Sequence, residues 1–186
     1  MNTYMTRFST YYEHIVCPDL LLKLPISNIH ELPKFDKLVL HSSSSDIVQD
    51  KKQVLPVLMG FEYLTGQKAT VTWSRKSVAA FRLRKNSVIG CRVTLRKYTL
   101  FNFFEKYVLL YLPRFYDWQI LNTSQKAEFF EINRGYRDPF LFFELESLTD
   151  LFQGFQGFQL NWNIKAKKKL PLKKVRYLLF SAFQGI

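Results

Sequence analysis

No apolar run in this chain approaches the 18 or more residues of a membrane span; the densest, YVLLYL at 107–112, is short and flanked by charge. No secretory apolar region opens it, and MNTYMTRFSTYY, acid-free with one Arg, is only faintly like a transit peptide. Cysteine is confined to Cys17 and Cys91, far apart and outside any CxxC, which argues against a disulfide scaffold and for a reduced compartment. Of the three histidines, His14, His30 and His41, none has metal-ligand spacing with Cys or another His. TGQK at 65–68 holds a Gly and a Lys but no phosphate-binding GxxxxGK[ST] loop, and no GxSxG occurs. Glu144 and Glu146 stand two apart on what reads as a strand, FLFFELE, where a solvated edge explains them better than a catalytic carboxylate pair. The expectation is a protein with no catalytic residues, no metal and no cofactor.

The most informative absence is of acid. Between Glu62 and Glu105 there is none, while residues 65–97 alone hold nine Lys or Arg. The charge runs in blocks: −1 over residues 1–62, +9 over 63–104, −3 over 105–150 and +7 over 151–186, within a formal net charge of +12. Such crowding of one sign repels itself unless a polyanion sits opposite. What is present suffices for a core. Nearly half the 186 residues are apolar, 17% are aromatic and only seven are Gly, so the chain is not disordered by composition and fits one domain over 1–186.

The pattern along the chain mixes helices and strands. Ser9 or Thr10 caps a helix to about Leu24, with Tyr11, Tyr12, Ile15, Val16 and Leu20 apolar and Pro18 expected to kink or shorten it. FDKLVLH (35–41) reads as a strand and the four serines at 42–45 as a loop. Asp50 caps a second helix ending at Gly66, bent or begun late because of Pro56. TLFNFFEKYVLLYL (99–112) is the clearest helix, with Thr99 as cap and Pro113 as stop. LPLKKVRYLLFSAF (170–183) reads as a last helix with Pro171 at its first position.

Three strands share one design. In VIGCRVTLR (88–96), Ile89, Cys91, Val93 and Leu95 face one way, and Gly90, Arg92, Thr94 and Arg96 the other. In FQLNWNIKAK (158–167), Phe158, Leu160, Trp162, Ile164 and Ala166 oppose Gln159, Asn161, Asn163, Lys165 and Lys167. ATVTWSR (69–75) separates Val71 and Trp73 from Thr70, Thr72 and Ser74. Any half-exposed antiparallel strand alternates this way, but an ordinary solvated face mixes Lys with Glu, and these carry no acid. The expected fold is α+β: two layers, an antiparallel-type sheet with helices packed on one face and an open basic face, plus a long basic loop. That loop, RKSVAAFRLRKNS, is an arm at about 75–87 in which Arg75, Lys76, Arg82, Arg84 and Lys85 surround Val78, Ala79, Ala80, Phe81 and Leu83. Cations for phosphates and an apolar tip for a sugar or base suit an RNA partner. Nothing in the arm buries enough surface to order it, so it is expected to be mobile in the free protein. The lysines at 165–169 with Lys173 and Lys174 would also suit a membrane surface, but they continue a patterned strand, which favours nucleic acid.

TGQKATVTWSRKSVAAFRLRKNSVIGCRVTLR closely resembles the central signature of large-subunit ribosomal protein five: a glycine-glutamine-lysine turn, an alanine-arginine-lysine-serine arm, and a strand ending in valine-threonine-leucine-arginine. YYEHIVCPDLLLKL, LPKFDKLVLH, QDKKQVLPVLMGFEYLTGQK, FFEKYVLLYLPRFYDW and LLFSAF resemble, in order, that family's opening helix, first strand, second and third helices and closing helix. The resemblance covers essentially the whole chain. It implies a structural protein of the central protuberance that holds 5S rRNA on the open sheet and touches large-subunit rRNA and neighbouring ribosomal proteins. It also implies an arm sent toward the elbow of peptidyl-site tRNA, and contact with the small-subunit head. The family's sheet contacts fall here on Gln67 and Thr94; Arg92 and Arg96 share the Thr94 face, and Asn161, Asn163 and Lys165 line the polar side of the later strand. The chain departs from the family where His41 and four serines replace an asparagine and a glycine-containing turn. It departs again at Pro18 and Pro56, and at EFFEINRGYRDPF, so the loop at 122–139 is expected to have changed its contacts. This drift and the Phe-rich composition suggest an organelle. The expectation is a mitochondrial ribosome in the matrix and a mitochondrially encoded gene, with bacterial cytoplasm or plastid as alternatives. The other function class is a stand-alone RNA chaperone or RNA-processing enzyme using the same basic sheet.

Overall fold

The computed structural model describes residues 6–24, 26, 28–114, 122–126 and 129–165. The anticipated closing helix at 170–183, and Ala166 and Lys167, lie outside the described residues. The architecture is α+β. Helices α1 (Arg7–Tyr11), α2 (Cys17–Lys23), α3 (Ser45–Gln49), α4 (Val54–Thr65), α5 (Lys97–Lys106) and α6 (Phe143–Glu146) alternate with strands β1 (Lys34–Ser43), β2 (Thr70–Trp73), β3 (Val88–Leu95), β4 (Asn122–Lys126), β5 (Phe129–Tyr136) and β6 (Phe158–Lys165). The strands form one sheet in the order β2-β3-β1-β6-β5-β4; β2 pairs antiparallel with β3, and β4 with β5.

The residues group into two compact units, one of 39–95 and 135–160, the other of residues up to 38, 96–134 and from 161. Each has an aromatic centre. In the second, Trp162 of β6 is fully buried, with Phe104, Tyr107, Phe35 and Phe103 ring centroids 5.2, 5.3, 6.2 and 6.4 Å away. In the first, Phe158 lies 5.0 Å from Phe142, 5.5 Å from Tyr136, 5.6 Å from Phe155 and 5.7 Å from Phe61. Tilted and edge-on rings at these spacings add to burial, so several of the eighteen Phe are core material.

The first helix starts earlier than expected. Thr6, rather than Ser9 or Thr10, is its N-cap, its hydroxyl accepting from Ser9 N at 3.0 Å. Phe8, Tyr12, Val16, Leu20 and Leu24 are the buried stripe, and Ile15 is exposed. Pro18 does not end the helix. A π-helical turn, Tyr12–Val16, precedes it, and the Cys17 N–H reaches Tyr12 O instead of closing a normal α-turn. A second π-turn, Tyr107–Tyr111, ends two residues before Pro113. In both places the wider turn makes room for a ring that would otherwise strike the carbonyl four residues back. Burial pushes the Tyr12 hydroxyl well above the usual tyrosine range, so it stays a donor, to Pro33 O.

Four other expectations are corrected. The serines at 42–45 are not a loop: Ser42 and Ser43 extend β1, Ser44 caps α3 by accepting from Asp46 N, and Ser45 begins the helix. Arg96, not Thr99, is the N-cap of α5; Thr99 Oγ1 instead accepts from Arg96 N at 3.3 Å and donates to Arg96 O at 2.9 Å. FLFFELE is not a strand. Asp138 accepts from Phe140 N, Pro139 opens a 3₁₀ turn (Pro139–Leu141), and α6 follows with Phe142 and Leu145 buried three residues apart, so Glu144 and Glu146 do not share a strand face. The segment 122–139 is not a loop: it contains the β4–β5 antiparallel pair, Asn122 opposite Asn133 through Lys126 opposite Phe129. The second helix does end at Gly66, which has φ of +67° and whose N–H bonds Glu62 O. Asp50 caps the short turn Lys51–Gln53 ahead of α4, and the third residue of α4 is Pro56.

Cys91 lies fully buried on β3 as a free thiol, and burial pushes it up to about 11 from 9.0. A thiol reagent at pH 8 should therefore modify the half-buried Cys17 well before Cys91, and Cys91 only as the protein opens. Cys91 also makes its contribution to stability fully below pH 9 and loses it as pH rises through about 11, because the unfolded thiol ionises first. Fast labelling of both thiols in native protein, read by mass spectrometry, would contradict this placement.

Candidate nucleic-acid interface

In the unit of 39–95 and 135–160, β3 alternates from Cys91 onward as its sequence dictates; ahead of it Val88 and Gly90 are buried, and Ile89, expected on the inward face, is only half-buried. Cys91, Val93 and Leu95 are buried under α3 and α4, Arg92 is exposed, and Thr94 is half-buried. The turn after Gly66 brings Gln67 to this strand, and its Nε2 donates to Thr94 O at 3.1 Å. Thr70 pairs with Arg92, and its hydroxyl donates to Arg92 O at 3.0 Å. Gln67, Thr70, Arg92 and Thr94 thus come together with no carboxylate among them. β2 departs from the expected split. A register shift between Thr72 and Trp73 turns the Trp73 ring outward, 58% exposed, while Ala69 and Ser74 are buried instead.

The arm departs from β2 through Ser74 and returns at Ser87. It closes through backbone bonds: Ser74 N to Ser87 O at 2.9 Å, Asn86 N to Ser74 O at 3.0 Å, and a Val78–Leu83 bridge with bonds of 3.0 and 3.1 Å. A 3₁₀ turn (Ala79–Phe81) forms the tip, and Arg82 at φ 52° and Asn86 at φ 63° take the left-handed turns. The long basic loop expected from composition is therefore a small hairpin, closed by main-chain bonds and by Ser77 Oγ, which accepts from Lys85 N at 3.0 Å, rather than by burial. Arg75, Lys76, Arg82, Arg84 and Lys85 are all exposed, as is Phe81. The tip borders a cleft of about 450 Å³ lined by Phe81, Arg82, Leu83, Ile89 and the start of α3.

Strand alternation gives no hint of a second cavity in the same unit, of about 420 Å³, whose walls include His41, Arg137, Gln156 and Gln159. It exists because small residues let backbones approach. Ser42 Oγ donates to Gly157 O at 2.5 Å, and a Cβ at Gly157, whose φ is +127°, would stand 2.5 Å from Tyr136 O. The glycines in FQGFQGF are the one available signal in the sequence.

In the other unit, Arg96 is exposed at the start of α5. On β6, Ile164 and Trp162 are buried, Asn161 and Asn163 are half-buried, and Lys165 is exposed, as the alternation predicts. Asn161 Oδ1 and Asn133 Oδ1 are buried without a hydrogen-bond partner among the described residues. Among the described residues no group of three His, Cys, Asp or Glu can hold a metal, and no helix is long and apolar enough to cross a membrane.

Two family profiles match this chain, one described as "Ribosomal protein L5" over residues 28–84, the other describing the C-terminus of the same ribosomal family over 88–184. The chain is similar to "Large ribosomal subunit protein uL5m" of Prototheca wickerhamii, 35% identical over 96% of this chain and 82% of the relative. It is also similar to the protein of that name in Reclinomonas americana, 34% identical over 97% of each. "Large ribosomal subunit protein uL5" of Neisseria meningitidis is 29% identical over 97% of this chain and the whole of the relative.

Proposed function

The chain belongs to the ribosomal protein L5 family of the large subunit, as a structural constituent and not an enzyme, and from that premise we propose that it binds 5S rRNA in the central protuberance and contacts peptidyl-site tRNA. The RNA platform is the polar side of the strands: Gln67, Arg92 and Thr94 in one unit, Arg96, Asn161, Asn163 and Lys165 in the other. The observation that carries this reading is the β3 arrangement, an exposed guanidinium beside hydroxyls and an amide, in a stretch with no acid between Glu62 and Glu105. Arg supplies phosphate contacts, and amides and hydroxyls supply hydrogen bonds to 2′-hydroxyls and base edges. The arm, with Arg75, Lys76, Arg82, Arg84 and Lys85, takes the tRNA. Large-subunit rRNA, neighbouring proteins of the central protuberance and the small-subunit head complete the partners. The relatives whose names carry the suffix of the mitochondrial form support a mitochondrial ribosome as the location.

The test is the salt dependence of 5S rRNA binding. Arg92→Ala and Arg96→Ala should each weaken binding and flatten the plot of log affinity against log salt, by roughly one unit for each phosphate no longer neutralised. Unchanged affinity and slope in both variants would place the platform elsewhere.

A further inference from the structure

At the end of β2 a ring and a hydroxyl have exchanged places. Trp73 is 58% exposed, while the next residue, Ser74, is buried. The usual order is the reverse, with the large ring inward and the hydroxyl in water. Strand alternation sets Trp73 beside Val71 on the inward side, and the register shift after Thr72 undoes it. Ser74 has a reason for its place. Its Oγ donates to Lys76 O at 2.6 Å, and its main chain closes the base of the arm on Ser87 and Asn86. A polar residue at 73 would serve that geometry equally well. The indole standing there instead has no part in the core, and among the described residues no ring stacks on it.

Three features fit this ring to one kind of ligand. β2 is the outermost strand of the sheet, so the ring stands at an open edge. Its backbone is fixed on both sides, by the ladder to β3 and by the closed base of the arm, so a ligand stacking on it has little to order. Every charged residue from 63 to 104 is a cation, and Lys68, Arg75, Lys76 and Arg92 stand exposed on the strand pair and at the root of the arm. We propose that Trp73 is a stacking platform for one unpaired RNA base, whose flanking phosphates these cations hold. A base inside a helix has both faces stacked already, so the ring selects one that stands out of the helix, in a bulge or a loop. A membrane interface also takes Trp beside Lys, but Thr72 and Ser74 on either side give this ring no second apolar anchor. The proposal rests on the RNA-binding reading for the class of partner and adds to it a single-base subsite.

The experiment titrates the purified full chain with two RNA hairpins, one fully paired and one carrying a single bulged adenine, and separately with 5S rRNA and with tRNA, following tryptophan emission. Trp162 is buried and Trp118 lies outside the described residues, so the signal of Trp73 is the difference between the parent and Trp73→Phe. The bulged hairpin should quench that signal and bind about tenfold more tightly than the paired one. Trp73→Phe should keep most of this preference and Trp73→Ala should lose it. Trp73→Lys is the sharper variant. It adds a cation, so it should bind both hairpins at least as tightly as the parent does, yet without preferring either. All three substitutions are at a solvent-facing side chain and should leave the urea midpoint unchanged. Quenching by 5S rRNA or by tRNA identifies which of them supplies the base. The proposal is overturned if the parent binds the two hairpins alike, if Trp73→Lys keeps the preference, or if neither 5S rRNA nor tRNA quenches Trp73. It is also overturned if Trp73 responds to anionic lipid vesicles and not to RNA. An unchanged salt slope in Arg92→Ala and Arg96→Ala would sink the platform reading and leave the hairpin comparison standing.

Discussion

Gly90→Ala is expected to destabilise the protein by roughly 3 kcal/mol or more, a large share of what holds a domain of this size together. A Cβ at Gly90 would run into Ser42 O and stand 2.9 Å from Ser43 Cα and 3.0 Å from Ser42 C. Those are main-chain atoms of the neighbouring strand, and they cannot swing aside as a side chain does. The clash can be relieved only by parting β3 from β1, which gives up ladder hydrogen bonds and disturbs Arg92 two residues on. Gly135→Ala is the matched control, because its nearest neighbour would be Gln159 Cγ at 3.9 Å, an ordinary contact. Urea unfolding should show the first variant far less stable than the parent and the second within about 0.5 kcal/mol of it. Equal midpoints for the two would mean that β1 does not approach Gly90 so closely.

Excising the arm should separate the two RNA contacts. Replacing residues 77–84 by a Gly-Ser turn leaves the bonds at its base, Ser74 to Ser87 and Asn86 to Ser74, and removes Arg82, Arg84 and the tip from Val78 to Phe81. At about 1 kcal/mol for each charge-assisted contact, removing two cations should speed release of peptidyl-site tRNA by roughly thirtyfold. Affinity for 5S rRNA and incorporation into large subunits should stay near normal, because β2, β3 and β6 are untouched. The idea fails if the shortened protein no longer binds 5S rRNA. It fails equally if tRNA leaves at the parent rate from ribosomes that carry the variant.

The strand faces were largely legible because burial has period two: Cys91, Val93 and Leu95, and Phe158, Leu160, Trp162 and Ile164, went inward as their alternation required, while Ile89 stayed half-buried and Gly90 was buried where β1 comes close. The Gly66 cap was legible because a left-handed residue has few alternatives. FLFFELE misled because a short apolar run has no period, and an Asp-Pro pair just before it settles the matter locally. Trp73 misled because a one-residue shift in pairing turns a side chain to the other face without leaving a trace in the pattern. In the arm, composition gave the charge and exposure but not the hairpin, since most of its closing bonds are main chain to main chain, with one from Lys85 N to Ser77 Oγ. The cavity beside Arg137 was illegible because it joins strands far apart in sequence, and only small residues at Ser42 and Gly157 hint at the approach.

The placement of Phe158 and Trp162 on one late strand sets a timetable. During synthesis, Phe61, Phe142 and Phe155 emerge before Phe158 can join them, and Phe35, Phe104 and Tyr107 emerge long before Trp162. Until β6 leaves the exit tunnel, both aromatic sets are open to solvent on a nascent chain that already carries its basic arm. The closing contacts span much of the sequence, so folding is slow for the chain's size, and the unfinished protein is sticky in two ways at once, by its rings and by its charge. A factor that shields nascent rings, or an RNA that occupies the cations first, should raise the yield of folded protein more than any improvement of the finished core.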